Sequence, residues 1–433
     1  MVKMIDRLLN KITAHPVERR NMRSLAMNMM IKSADMPLFT GTELQAFQVK
    51  IGLGTGQMGL LASYGQITAV IAYFLLMGFA DKIRNRVRVY VWLTLAMAVY
   101  PLVLLFIALG PTYFRRPGVA FPMMAVGTVS EFLVLSFVGL VFSVLFVRSI
   151  SAGVQGRFMS IMGVGGGLLG MACGLISSQA LRYLGFPHGF AVAFAMSVGL
   201  LVIAAIVVRN IREIPELASA ECQQSASPLS AVWRVIRTPE FILLAPPNIL
   251  RGLSSGCSYF AMAIGMKQIG LGVEYAGYTT MLIFLGGILG TASIGFTVDR
   301  YGAGRVLLFA NIGIAISLMG VVLAPSPLIF LIFFLTMYMS TTCDGITVPL
   351  AHYAIVPHQI IGAFSAVRLL ILFGAGAMAT ATNGYLLELV KPVYVFAGNA
   401  TLNIITGILF LYAFNKGHKR QPVPLATPED RIK

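Results

Sequence analysis

The stretch Ser24–Phe47, which reads S-L-A-M-N-M-M-I-K-S-A-D-M-P-L-F-T-G-T-E-L-Q-A-F, decides how the chain is read. It carries Asn28, Lys32, Ser33, Asp35, Thr40, Thr42 and Glu43, yet the next apolar run, Met58–Ala80, needs a predecessor that ends on the other side of a bilayer. Helical spacing puts Asn28, Lys32 and Asp35 (i, i+4, i+7) in one sector, while Leu25, Met29, Met36 and Leu38 cover much of the rest. An ionised side chain near a bilayer centre costs roughly 2.5–3.5 kcal/mol on insertion scales, which drives such groups into a bundle interior or a wet cavity. The segment is therefore expected to line an internal polar pathway. The competing reading makes it cytosolic or interfacial and starts the first span at Met58. That leaves an odd number of spans and upsets the distribution of basic residues.

The rest of the chain agrees with a membrane location. Its 433 residues are 57% hydrophobic and only 11% charged, against about a quarter charged in soluble domains. The formal charge is +16, from 32 Lys and Arg against 16 Asp and Glu. The basic residues cluster in short loops between apolar runs, so they report topology rather than nucleic-acid binding. Cys173, Cys222, Cys257 and Cys343 form no C-x-x-C pair, and neither a disulfide framework nor a zinc site is indicated. Residues 1–23 lack a cleavable signal and are expected to form a cytoplasmic amphipathic segment, with a solvated basic tail as the alternative.

Twelve spans follow, at about 24–47, 58–80, 88–109, 120–147, 157–180, 189–209, 240–265, 275–298, 304–323, 328–349, 360–387 and 393–414. Lys82, Arg84, Arg86 and Arg88, then Arg209, Arg212, Arg234 and Arg237, then Arg300 and Arg305 all fall on the side of the termini. The other side holds only Lys50, Arg115, Arg116, Arg182, Lys267 and Lys391. Both termini are therefore expected in the cytoplasm, in an inner or plasma membrane. The polar segment 210–239 reads as a cytoplasmic linker between a six-helix half at 24–209 and another at 240–414, with a cytoplasmic tail at 415–433.

The halves repeat each other. Ile51-Gly52-Leu53-Gly54 recurs as Ile269-Gly270-Leu271-Gly272, and Asp81-Lys82 recurs as Asp299-Arg300 at the same separation. Parallel six-span repeats are the architecture of one large class of secondary transporters. At Gly295-Phe-Thr-Val-Asp299-Arg300-Tyr-Gly302 the chain resembles the loop signature of the major facilitator superfamily, G-x-x-x-D-R-x-G followed by basic residues. Ala303 and Gly304 replace the usual basic pair, and Arg305 comes just after. In the first copy Asp81, Lys82 and Arg86 fit, while Met77 and Arg84 replace the glycines. The resemblance implies an all-α membrane protein of twelve helices in two pseudo-symmetric halves. It also implies that Asp81, Arg86, Asp299 and Arg300 help hold the cytoplasmic face closed as gate residues. Their alternative role is topology and solvent ion pairs alone. The fifth span, Gly163–Gly174, lacks the proline common in antiporters of that family, and Gly166, Gly170 and Gly174 are expected to serve helix packing.

Beyond Lys32 and Asp35, the spans contain Glu131, Arg251, Asp344 and Arg368. The repeat sets Lys32 and Arg251 at similar depth, one from each half. They are expected to hold an anionic group of the substrate, with Asn28 and Tyr259 beside them. Asp35 or Glu131 is expected to carry a coupling proton. Asp344 and Arg368 read as an inner gate or a structural pair. The plainer alternative makes all six charges structural and leaves a neutral substrate to Asn28, Ser33, Thr42, Gln66, Asn248 and Tyr259. His352 and His358 read as residues near a loop.

The expected function is a secondary active transporter that moves a small, anionic organic solute by proton-coupled alternating access. The expected partners are that solute, protons and the lipid bilayer; no cofactor, metal or nucleic acid is implied, and a monomer is expected. The alternatives are a proton-driven exporter of amphipathic compounds and a non-transporting lipid or pigment assembly protein of the same fold. No catalytic triad, nucleotide loop or metal cluster points to an enzyme.

Overall fold

A computed structural model of the chain describes residues 16–76, 83, 85–150, 152–211, 228–356 and 361–418, and every regular element among them is helical. The first crossing is broken. Helix α1 (Pro16–Thr40) gives way at Gly41 to α2 (Thr42–Lys50). Pro37 lacks an N–H and so removes one helical hydrogen bond just before the break. Gly41 lies so close that a Cβ there would sit 2.8 Å from the Pro37 carbonyl. The remaining helices of the first half are α3 (Thr55–Leu76), α4 (Arg86–Ala96) with α5 (Val99–Leu109), α6 (Pro117–Ser149), α7 (Ala152–Leu184) and α8 (His188–Val208).

A short helix, α9 (Pro228–Ile236), lies in the connection. Its Val235 is buried with Leu244 and Phe364, while Trp233 is exposed under the Arg237 guanidinium. The seventh crossing is broken like the first: α10 (Pro239–Ser255), a 3-10 turn at Ser258–Phe260, and α11 (Ala261–Gln268). After it come α12 (Glu274–Tyr301), α13 (Ala303–Leu323), α14 (Pro327–Ile355), α15 (Ile361–Leu389) and α16 (Pro392–His418). Among the described residues, ten stretches are long and apolar enough to cross a membrane by themselves. The two broken helices, one interrupted by charge and one by its turn, fit the two remaining crossings of the expected twelve.

The repeated I-G-L-G tetrads end these broken crossings. Gly52 and Gly270 have φ of 87° and 71°, a region that glycine enters without steric cost, and Leu53 and Leu271 tuck into the core behind them. Gly302, the last residue of the loop signature, has φ 79° and turns α12 into α13.

Pro16 and His418 lie on one side, here called the terminal side, and Lys50 and Gly270 lie on the far side. The two halves meet along α3 with α15 and along α7 with α12. On the far side these seams are tight because glycines remove the side chains between them. A Cβ on Gly59 would come within 2.6 Å of the Thr380 carbonyl, and one on Gly174 within 2.9 Å of the Gly277 carbonyl. Ser63 donates to the Ala377 carbonyl at 2.7 Å, and the Gly56 N–H donates to Glu388 Oε1 at 2.8 Å. Glu388 thereby sets a carboxylate on the positive end of α3. One apolar cluster, with Phe47 and Phe190 from the first half and Phe260, Phe330 and Phe396 from the second, fuses the halves there. Towards the terminal side the apolar clusters each belong to one half, Tyr90 and Phe158 to the first and Phe364 and Val367 to the second. Among the described residues, the apolar core shared by the halves lies on the far side, while towards the terminal side the α3–α15 seam continues in the stacked rings of Tyr73 and Phe373.

Candidate functional site

Two cavities of about 200 Å³ each lie where the first helices of the two halves face the middle of the bundle. The first is lined from the first half by Gln48, Gln66, Tyr100, Thr128 and Glu131, and from the second by Tyr259. The other is lined by Arg251, Ser254, Ser255, Thr341, Asp344 and Asn403, and again by Gln66. Gln66 of α3 therefore forms a wall of both. Several polar atoms here are left over by the protein. Gln48 Oε1 accepts from the Tyr259 hydroxyl at 3.4 Å, while Gln48 Nε2, Gln66 Oε1 and both Glu131 oxygens make no hydrogen bond to the described residues. Buried polar atoms without partners are rare, and around a cavity they mark where water or a ligand completes the set.

The charges sort by half. On the first side, Lys32 is 7% exposed, with its ammonium 5.1 Å from the centre of the Tyr90 ring and within electrostatic reach of Glu131 and Asp35. Asp35 is fully buried; it accepts from Ser197 of α8 through Oδ1, and its Oδ2 has no partner among the described residues. This is a loose triad of one cation and two carboxylates. On the second side, Arg251 Nε donates to Asp344 Oδ2 at 2.5 Å, and Asn311 donates to Asp344 Oδ1 at 2.9 Å. That pair is tight, and it leaves the terminal amino groups of Arg251 without a hydrogen bond to the described residues, beside the cavity.

The expected clamp of Lys32 and Arg251 on one anion is not what the structure assembles. A cation in a low-dielectric interior takes the nearest counter-charge. Each has found one in its own half, and only Arg251 lines either cavity. Asn28 is likewise corrected: it is fully buried, donates to the Ala204 carbonyl at 3.0 Å and accepts from the Tyr90 hydroxyl at 2.9 Å, so it braces α1 against α4 and α8. Tyr259, Glu131 and Arg251 do reach the cavities. Asp344, expected with Arg368 as a gate or structural pair, gives its carboxylate to Arg251 and Asn311 instead. Of the candidates for a neutral substrate, Gln66 and Tyr259 line the cavities, whereas Thr42 and Asn248 donate to backbone carbonyls.

Arg86 is buried at the start of α4, and Arg300 is exposed over the Tyr301 ring. Asp81 and the side chain of Asp299 lie outside the described residues. His352, expected near a loop, is buried in α14 within 3.2 Å of Asn248 Nδ2. A further opening of about 280 Å³ runs between α7 and α12 on the terminal side of their contact, lined by Ser33, Gly163 and Gly167 and by Phe284, Thr291 and Thr342.

Membrane-length helices in two like halves, with cavities between them that hold unpartnered polar atoms, fit a membrane carrier fold. The sequence profile of the Major Facilitator Superfamily matches residues 24–359, and the chain belongs to that family. No curated protein matches the chain. Among solved structures, the nucleoside transporter NupG is similar at 15% identity and TM-score 0.68, over 92% of this chain and 99% of NupG. A D-xylose-proton symporter is similar at 12% identity and TM-score 0.71, over 90% of this chain and 96% of the symporter. A bacterial homologue of the human lysosomal transporter Spinster, inward-facing and unoccupied, is similar at 14% identity and TM-score 0.64, over 95% and 100% of the two chains. These likenesses establish the fold. Family and fold together indicate an integral, multi-pass transporter rather than an enzyme.

Proposed function

We propose that the protein is a proton-coupled carrier that moves a small polar solute by alternately exposing the chamber around Gln66 to the two sides of an inner or plasma membrane. The observation that carries this reading is the pair of cavities sharing Gln66, in which amides, hydroxyls and the charged groups of Glu131, Arg251 and Asp344 are set among apolar side chains, with the far side packed shut behind them. The basic loops favour a cytoplasmic terminal side, which makes the present arrangement inward-facing. The likeness to a D-xylose-proton symporter and to a nucleoside transporter supports a solute of that polar kind.

Charge balance argues for a solute without full negative charge. Lys32 and Arg251 face Asp35, Glu131 and Asp344. With all five ionised these groups together carry one net negative charge. Asp35 and Glu131 share a single ammonium, so a proton taken up by either one neutralises the triad. Solute binding next to Glu131 and proton uptake there favour each other in this scheme, which is the physical requirement for symport.

A carboxylate-bearing solute is the second reading, favoured by the free terminal amino groups of Arg251, which could bind it as a fork. The test uses proteoliposomes with an inwardly directed proton gradient and a panel of labelled sugars, nucleosides and small carboxylates. Accumulation of an uncharged polar solute supports the first reading, and Arg251→Ala would then weaken its uptake without abolishing it. Accumulation of a carboxylate alone, abolished by Arg251→Ala, supports the second. Extrusion of amphipathic dyes, or no flux of any solute, overturns both.

A further inference from the structure

A second buried carboxylate lies outside the chamber, on the far-side seam. Glu43, in the first turn of α2, is fully buried, and although it belongs to the first half one of its partners, Thr280, belongs to the second. Its Oε2 is in hydrogen-bond contact with Thr280 Oγ1 of α12. Thr280 Oγ1 lies 2.9 Å from Thr42 Oγ1, and Thr42 Oγ1 lies 2.9 Å from the Ala276 carbonyl. A longer contact of 3.4 Å joins Thr42 to the same Glu43 oxygen.

Hydrogens can be counted along this row. Three oxygen–oxygen contacts run from the carboxyl through two hydroxyls to a backbone carbonyl, and each needs one hydrogen. The carbonyl supplies none and each hydroxyl supplies one. The third must come from Glu43. With a protonated carboxyl the row runs one way: Glu43 donates to Thr280, Thr280 to Thr42, and Thr42 to the Ala276 carbonyl. With an ionised carboxylate, one of the three contacts has no hydrogen: carboxylate to hydroxyl, hydroxyl to hydroxyl, or hydroxyl to carbonyl.

The surroundings offer no alternative neutraliser. Among the described residues Cys173 of α7 is a titratable group within electrostatic reach, Asp35 of α1 acts on the same thiol, and the uncharged Ser177 of α7 is within hydrogen-bonding reach of the carboxyl. Lys267 of α11, His188 of α8 and Arg182 of α7 are exposed, and no basic group among the described residues is within ion-pair distance of Glu43.

The geometry points to Glu43 as a proton-operated latch: the far side closes only with a proton on Glu43, and loss of that proton to far-side water accompanies opening. When α2 and α12 part, Glu43 leaves Thr280 and reaches water, where the carboxylate is stable. The proton passes from the carboxyl to that water, and no other group changes charge. The latch rests on the alternating-access reading given above but not on the identity of the solute. Because the closed state holds one more proton than the open state, the ratio of closed to open falls by up to about tenfold per unit rise in pH between the two titrations of Glu43.

The test is a distance measurement by double electron–electron resonance, without solute. Spin labels are placed at Tyr113→Cys and Leu389→Cys, exposed far-side positions of the two halves, in a cysteine-depleted background. One short distance is expected at low pH, with a longer one growing as pH rises. Glu43→Gln, which supplies an N–H donor at every pH, is expected to keep the short distance throughout. Thr280→Val, which breaks the row, is expected to move the transition to lower pH. A transition in Glu43→Gln at the parent's midpoint would overturn the proposal, and so would a parent distance that does not respond to pH. Both variants are read only as monodisperse protein on gel filtration. Thr280→Val keeps the test open if Glu43→Gln does not fold. The readout needs no transport, so a failed uptake assay and a failed latch remain distinct results.

Discussion

The two halves place charges at equivalent depth and treat them in opposite ways. In the second half Arg251, Asp344 and Asn311 form a closed hydrogen-bonded unit. In the first half Lys32, Asp35 and Glu131 sense one another without an ion pair, and three of the four carboxylate oxygens have no hydrogen-bond partner among the described residues. A satisfied ion pair in low dielectric is costly to separate, so it holds α10, α13 and α14 in register. A loosely satisfied triad has less to lose when its charge changes. The difference assigns permanence to the second half and proton exchange to the first.

The largest effect is expected where the tight unit is cut. Asp344→Ala strands Arg251 and should cost about 3–5 kcal/mol of stability, read as a lowered thermal midpoint in detergent. Replacing both partners, Arg251→Leu with Asp344→Leu, should recover most of that loss; no recovery would mean that the pair does more than hold helices together.

Cutting the loose triad should affect coupling instead. Glu131→Gln or Asp35→Asn is expected to change stability by less than about 1 kcal/mol. It should also remove the tenfold accumulation that one coupled proton supports per unit of pH gradient, while solute exchange continues. A large loss of stability in these variants would erase the contrast between the halves.

The smallest effect belongs to the wall shared by both cavities. Gln66→Ala removes about one net hydrogen bond, 0.5–1.5 kcal/mol, and should weaken solute binding about two- to tenfold, measured as a smaller ligand-induced thermal shift. Unchanged affinity would place the solute elsewhere.

The fold was legible because its signals are local or periodic. Apolar runs marked the crossings after the charged Ser24–Phe47 stretch, and the repeated I-G-L-G tetrads marked the equivalence of the two halves. The breaks were less visible. Pro37 and Gly41 end α1 early, but either residue alone is tolerated in a membrane helix.

Which residues carry charge at membrane depth could also be read, since each such residue breaks an apolar run. Which charge meets which could not. Arg251 and Asp344 stand 93 positions apart, and helix rotation, not spacing, decides that Asp344 turns to Arg251. Asn28 and Lys32 share a predicted sector and both meet Tyr90, Asn28 through a hydrogen bond that, with its bond to Ala204, commits it to a helix seam. Glu43 went unassigned among the candidate site residues, although an acidic residue inside a span was signal enough to single it out. Its partners, Thr42 and Thr280, are uncharged, and Thr280 is 237 positions away.

The central claim, that solute and proton cross together through a chamber between the halves, is tested most directly by internal pH in proteoliposomes. A solute found by thermal shift is added outside with no pH gradient imposed. The account predicts that the lumen acidifies as the solute enters, and that Glu131→Gln admits solute with no change in pH. Solute entry through the parent protein at constant internal pH would contradict it.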